Sequence, residues 1–249
     1  MATTVAAKPV LTTRGAHDHA FFSGMAIIMA CAVFTGFART YYLSAYFGTH
    51  ATTSGRPFST IVRVHAALFT TWVLLFLVQT SLVAARRVAV HRRLGVSVAV
   101  LAAAMIVVGT ATAVDGARHG AAPPGLDPLS FLVIPLGDMV VFTVLIAAAL
   151  TLRRNKEAHK RLMLLAFTAI LVAAVARFPG MVAAGPLWFF GLTFLTVLAL
   201  VMTYDLVTRR RVHPAYVWGG GLLILSVPAR LAISTTHAWH HLAQKLIGS

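Results

Sequence analysis

Three histidines and one aspartate stand where their side chains could do chemistry. Asp138 lies about ten residues into an apolar run, which at 1.5 Å per residue is near mid-bilayer. A carboxylate at that depth could relay protons, bind a cation, or pair with Arg63, Arg177 or Arg230. Pairing is the ordinary way to keep such a charge. Pro135 and Gly137 come just before it and should kink or loosen the helix. His65, Trp72, Gln79 and Arg86 are spaced by seven, so they lie along one helical face, with Phe69 and Phe76 between them. His65 is about two turns into its run, deeper than an interfacial residue should be. That face could line a cofactor groove, or His65 and Gln79 could hydrogen-bond across helices. His91 and His159 each follow a basic cluster and open a new apolar run, and His213 repeats the pattern.

The other histidines point less clearly to chemistry. His17 and His19 fall in the N-terminal tail, and His50 and His119 in loops rich in Gly, Thr and Pro. His237, His240 and His241 form an H-A-W-H-H tract, which could bind a metal but reads better as an amphipathic tail anchored by Trp239 at the interface. The one cysteine, Cys31, sits in an apolar run and reads as a packing residue, with no disulfide or cysteine-based cluster open to it. No phosphate loop, H-E-x-x-H or G-x-S-x-G motif occurs. Gly219-Gly220-Gly221 suits close helix packing.

The elements that must hold these groups are membrane helices. Of 249 residues, 59% are hydrophobic and 11% charged, and mean hydropathy is +0.83. Soluble domains average about 45–50% apolar and about 25% charged. Seven apolar runs, at 20–38, 59–85, 94–114, 128–152, 162–176, 186–207 and 215–233, each approach the length needed to cross hydrocarbon. They must be helices, since open sheet edges do not survive in lipid. The fold expected is an all-α polytopic bundle of one lead helix and three hairpins. Residues 1–19 form a polar N-terminal tail, 20–235 the transmembrane domain and 236–249 a His-rich C-terminal tail. No cleaved signal peptide is expected, so the first run should remain as an anchor.

The net charge of +15 would suit nucleic acid in a soluble protein, but here it reflects topology. Fourteen of the 21 basic residues fall on one side of the spans, in the tail and in three similar loops around Arg86–Arg93, Arg153–Arg161 and Arg209–Arg211. The positive-inside rule then puts the N-terminus in the cytoplasm of a bacterial inner membrane and the C-terminus outside. The repeated order of basic cluster, histidine, new helix suggests duplication.

The segment V-H-A-A-L-F-T-T-W-V-L-L-F-L-V-Q-T-S-L-V-A-A-R-R with H-R-R-L-G, and the later A-H-K-R-L-M-L-L-A and A-R-F-P, resemble a group of uncharacterised bacterial predicted multi-pass membrane proteins. Those motifs cover about half the chain and imply no mechanism. A second resemblance is to ascorbate-linked transmembrane diheme cytochromes b. These place four ligand histidines on four successive helices and bind two b haems. His65, His91 and His159 match three of the positions, on the second, third and fifth helices. The fourth helix carries Asp138 and no histidine. This resemblance implies a haem between His91 and His159, with Arg92 and Arg161 near its propionates, and leaves His65 without a partner for a second haem.

Three readings follow. A membrane oxidoreductase would pass electrons through b haem, to or from a quinone. A small-molecule or proton-coupled transporter would use Asp138 and His65. A non-catalytic accessory or assembly subunit would pack beside a larger membrane complex. The redox reading stands first, because it alone accounts for a histidine opening successive helices.

Overall fold

A computed structural model describes residues 13–49, 57–123 and 125–248, with side chains from His17 onward. His50 and Lys8 lie outside the described residues. Seven long apolar helices run in chain order: α1 (Thr13–Phe37), α2 (Thr60–Ala84), α3 (Val88–Arg118), α4 (Pro128–Thr151), α5 (Lys156–Val175), α6 (Pro186–Arg209) and α7 (Pro214–Ser234). An amphipathic eighth, α8 (His237–Ile247), follows. A π-helical turn, Ala38–Tyr42, extends α1, and short helices Ser44–Phe47 and Met181–Ala184 occupy two connections. The chain is an all-α polytopic membrane bundle. Its outward residues are those of a lipid-facing surface. Val96, Val100 and Val107, for example, project from one side of α3 at 67%, 67% and 68% exposure.

Helix α5 is the axis of the bundle. In its apolar window 72% of residues are buried, against 17–39% in the other six spans. It packs on α1, α4, α6 and α7, and Phe167 meets Phe76 of α2 edge-on at 4.9 Å. Around it α1, α2, α3, α4, α7 and α6 follow one another, and the ring closes where Phe21 of α1 stacks on Tyr204 of α6 at 3.8 Å. Small residues permit the closest crossings. A Cβ at Gly36 would strike the backbone of Ala174, so α1 can lie against α5 only with glycine there. Gly219 and Gly220 likewise admit Leu165 and Leu198, the packing role expected of the glycine triplet, while Gly221 faces open space.

Three boundaries differ from the sequence expectation. The polar tail is helical from Thr13, so α1 begins well before residue 20. Helices α3 and α5 begin six residues earlier than their apolar runs, at Val88 and Lys156. Basic residues within the first two turns do not stop a helix, and the polar side chain of Asn155 starts α5 by accepting the N–H groups of Glu157 and Ala158. His91 and His159 are therefore first-turn helical residues and not loop residues.

The C-terminal tract is likewise a docked helix. Trp239 Nε1 donates to Leu129 O at 2.8 Å, and Arg118 Nε donates to Ile247 O at 3.0 Å, covering the last carbonyls of α8. His240 Nε2 lies 3.0 Å from both Ser130 Oγ and Ser234 O. Among the described residues no group of three metal-capable side chains forms, there or elsewhere.

Candidate functional site

The two ends of the bundle carry different chemistry. At the end of the basic loops, the α2–α3 turn and the α4–α5 turn bring His91 and His159 together. Their ring centres are 6.5 Å apart and their planes cross at 76°. His159 Nδ1 lies 2.8 Å from Ala149 O, near the end of α4. The Gln79 side-chain amide lies 2.6 Å from His91 Nδ1. With its oxygen turned to the Gly95 N–H, at 3.1 Å, it donates to His91. Both Nδ1 atoms are thus held by the protein. Neither Nε2 has a hydrogen-bond partner among the described residues. The seven-residue spacing on α2 therefore placed Gln79 correctly on an inward face. Its partner is the imidazole that opens the next helix.

Beside this pair lies an ion network that reading the sequence missed. Asp18 of α1 accepts from Lys160 and Arg209, each at 2.6 Å, and from Tyr204 Oη at 2.6 Å. Glu157 bridges Lys160, Arg161 and Arg209 at 2.8, 2.7 and 2.9 Å. Arg161 is fully buried and forms a two-pronged pair with Asp205, which is also fully buried. Asp205 Oδ2 further accepts the backbone N–H of His213 at 3.0 Å, tying the end of α6 to the start of α7. Three acids and three bases so join α1, α5 and α6, with no net charge. Asp205 sits inside an apolar run as Asp138 does, and the same rule could have singled it out. Arg161, expected near a propionate, has its donors committed to Asp205 and Glu157. Arg92 is exposed beside His91.

His213 is the N-cap of α7, its Nδ1 accepting the Ala215 N–H at 3.1 Å. Burial, and next the charge of Arg161, hold its pKa below the usual histidine value.

At the opposite end a cavity of about 620 Å³ opens between the helices. His65, Phe69, Asp138, Arg177 and Phe189 are in its wall. His65 stacks on Phe69 at 4.1 Å, and its Nδ1 is buried with no hydrogen-bond partner among the described residues. His65 and Gln79 are 14 residues apart on α2, about 21 Å along the axis, so His65 is not part of the His91–His159 pair. Trp72, fully buried halfway between, packs edge-on against Phe142 at 5.3 Å. Asp138 pairs with Arg230 of α7 at 2.5 Å. Of the three arginines that could have paired with it, Arg230 is the one that does. Gly137 makes room, since a Cβ there would collide with the Arg230 guanidinium. Arg177 lies 4.3 Å over the Phe37 ring and gives Nη1 to Ala173 O at 2.5 Å. Burial pulls its pKa down to about 10, which leaves it charged at neutral pH.

Fold and sites together define the class as a seven-span α-helical membrane protein with polar groups gathered at both ends of the bundle. No family model matches the sequence, nor does any curated protein or solved structure.

Proposed function

We propose that this chain binds one b-type haem between His91 and His159 and carries electrons at the basic end of the bundle. The separation of the two imidazoles carries the reading. With imidazole–metal bonds of about 2.0–2.1 Å and about 1.1 Å from nitrogen to ring centre, two histidines holding one metal ion between them would have ring centres about 6.3 Å apart. The observed separation is 6.5 Å. A metal-bound histidine usually gives its other N–H to a carbonyl, which fixes the tautomer and strengthens the ligand. His159 has that bond to Ala149 O. His91 gains it when Nδ1 carries the hydrogen and the Gln79 amide turns its oxygen over, giving up Gly95.

Haem held there supplies one-electron redox chemistry. The chain's own residues hold and orient it. His91 and His159 would hold the iron, Gln79 and the Ala149 carbonyl would set the ring tautomers, and Arg92 would offset a propionate charge. The same reading sets this end at the cytoplasmic face of a bacterial inner membrane, supported by the basic residues of the three loops around Arg86–Arg93, Arg153–Arg161 and Arg209–Arg211 on that side.

The test is the visible spectrum of protein purified after expression with ample haem, oxidised and then dithionite-reduced. We expect a low-spin b-type difference spectrum. It should vanish in His91→Ala and in His159→Ala, persist in His65→Ala, and shift in midpoint potential in Gln79→Leu. Wild-type protein without Soret absorption, or His91→Ala with an unchanged spectrum, overturns the proposal.

A further inference from the structure

The cavity at the end opposite the His91–His159 pair holds a positive charge, that of Arg177, with no counter-anion among the described residues. The sequence has six acidic residues, and none of them pairs with Arg177. Asp18, Glu157 and Asp205 belong to the network at the far end. Asp138 pairs with Arg230, and Asp127 caps α4 by accepting the Ser130 N–H at 2.7 Å. Asp115, at the cavity rim, turns to His119, with 3.4 Å between its carboxylate and the ring. Arg177 is left with a backbone carbonyl and the face of Phe37. A half-buried guanidinium without a counter-anion among the described residues is costly. His65 adds a second unmet need in the same wall, a buried Nδ1 without a partner. The rest of the lining is largely aromatic and aliphatic, and the volume is that of a typical small-molecule site.

We infer that this cavity binds an anionic amphipath, whose carboxylate or phosphate head pairs with Arg177 while its apolar body fills the aromatic chamber. His65 contributes to the head-group site through its free ring nitrogen. Asp138 does not repel the ligand, because Arg230 neutralises it. This site is independent of haem and stands whether or not His91 and His159 bind one. Two sources share the chemistry, a free long-chain carboxylate and the phosphate of an anionic phospholipid.

The test uses full-length protein in nanodiscs of phosphatidylcholine, titrated with dodecanoate and with dodecanol, which differ in the head group alone. Wild type should bind dodecanoate at least tenfold more tightly than dodecanol. Arg177→Gln should abolish that preference, and Arg177→Lys should keep most of it. The comparison of the two ligands on wild type needs no variant to fold. Native mass spectrometry of protein released from membranes distinguishes the sources: a retained fatty acid marks the first, and retained phosphatidic acid or phosphatidylglycerol the second. Equal affinity for dodecanoate and dodecanol overturns the inference, as does a preference that survives in Arg177→Gln.

Discussion

Asp205 and Arg161 form a contact that is costly to disturb one side at a time. Both are fully buried. Removing one partner of such a pair typically costs about 3–5 kcal/mol, whereas replacing both with apolar groups is often neutral or stabilising. Asp205→Leu should therefore lower the unfolding temperature in detergent by several degrees. The double variant Arg161→Met with Asp205→Leu should recover most of the loss, since Glu157 and Arg209 still have each other at 2.9 Å. His213 gives a pH dependence with a definite sign. Its folded pKa lies below the unfolded value of about 6.5, because burial and Arg161 disfavour the imidazolium. The neutral cap is thus fully effective above that pH, and its stabilisation is lost as pH falls from about 6.5 through the lower folded value. His213→Ser keeps a capping oxygen without titrating, so its thermal stability should fall less than wild type between pH 7 and pH 5. An equal fall in both would remove His213 from the account.

The turns between the helices carry their own strain. Arg86 has φ of 60°, and the N–H of Arg87 bonds to Leu82 O while that of Arg86 bonds to Val83 O. This is the ending in which glycine normally takes the left-handed position. A non-glycine residue in that conformation costs about 1–2 kcal/mol. Arg86→Gly should raise stability by about 1 kcal/mol, read as a higher midpoint of thermal unfolding. Arginine at this position is understandable if the loop's charge matters for orientation more than its local energy does. The same basic loops explain why helix starts were harder to read than helix centres. Apolar length marked all seven spans, but Arg92 and Arg93 follow the first turn of α3 and four charged residues fall in the first two turns of α5, and hydropathy alone assigned these turns to loops. The capping side chain of Asn155 was the available signal for α5. For α3 no side-chain cap exists, and its start rests on the turn hydrogen bonds.

For the whole bundle, the sequence located most polar groups of interest without pairing them. Gln79, Trp72 and His65 were legible as one face of α2 because the period of seven is a property of a single helix. That His91 meets His159, that Asp138 selects Arg230, and that Asp205 finds Arg161 depend on which helices surround α5, and no local pattern encodes that. The network of Asp18, Glu157 and Asp205 joins residues up to 191 positions apart, so its members look like scattered charges along the chain.

The burial of α5 also bears on how the protein is made. This helix brings Glu157, Lys160 and Arg161 to one end, and two of the carboxylates that match its cations lie on α1 and on α6. Asp18 has already been synthesised when α5 leaves the ribosome, but Asp205 has not. Until α6 arrives, Arg161 has no buried partner, and the surface that will face α6 and α7 is turned to lipid or to the insertion machinery. Assembly of the centre is thus coupled to a helix synthesised later. A chain truncated after residue 180 should be short-lived in cells, and co-expression of residues 181–249 as a separate piece should restore its level. If the truncated chain alone persists as long as the intact protein, α5 is accommodated without its later neighbours.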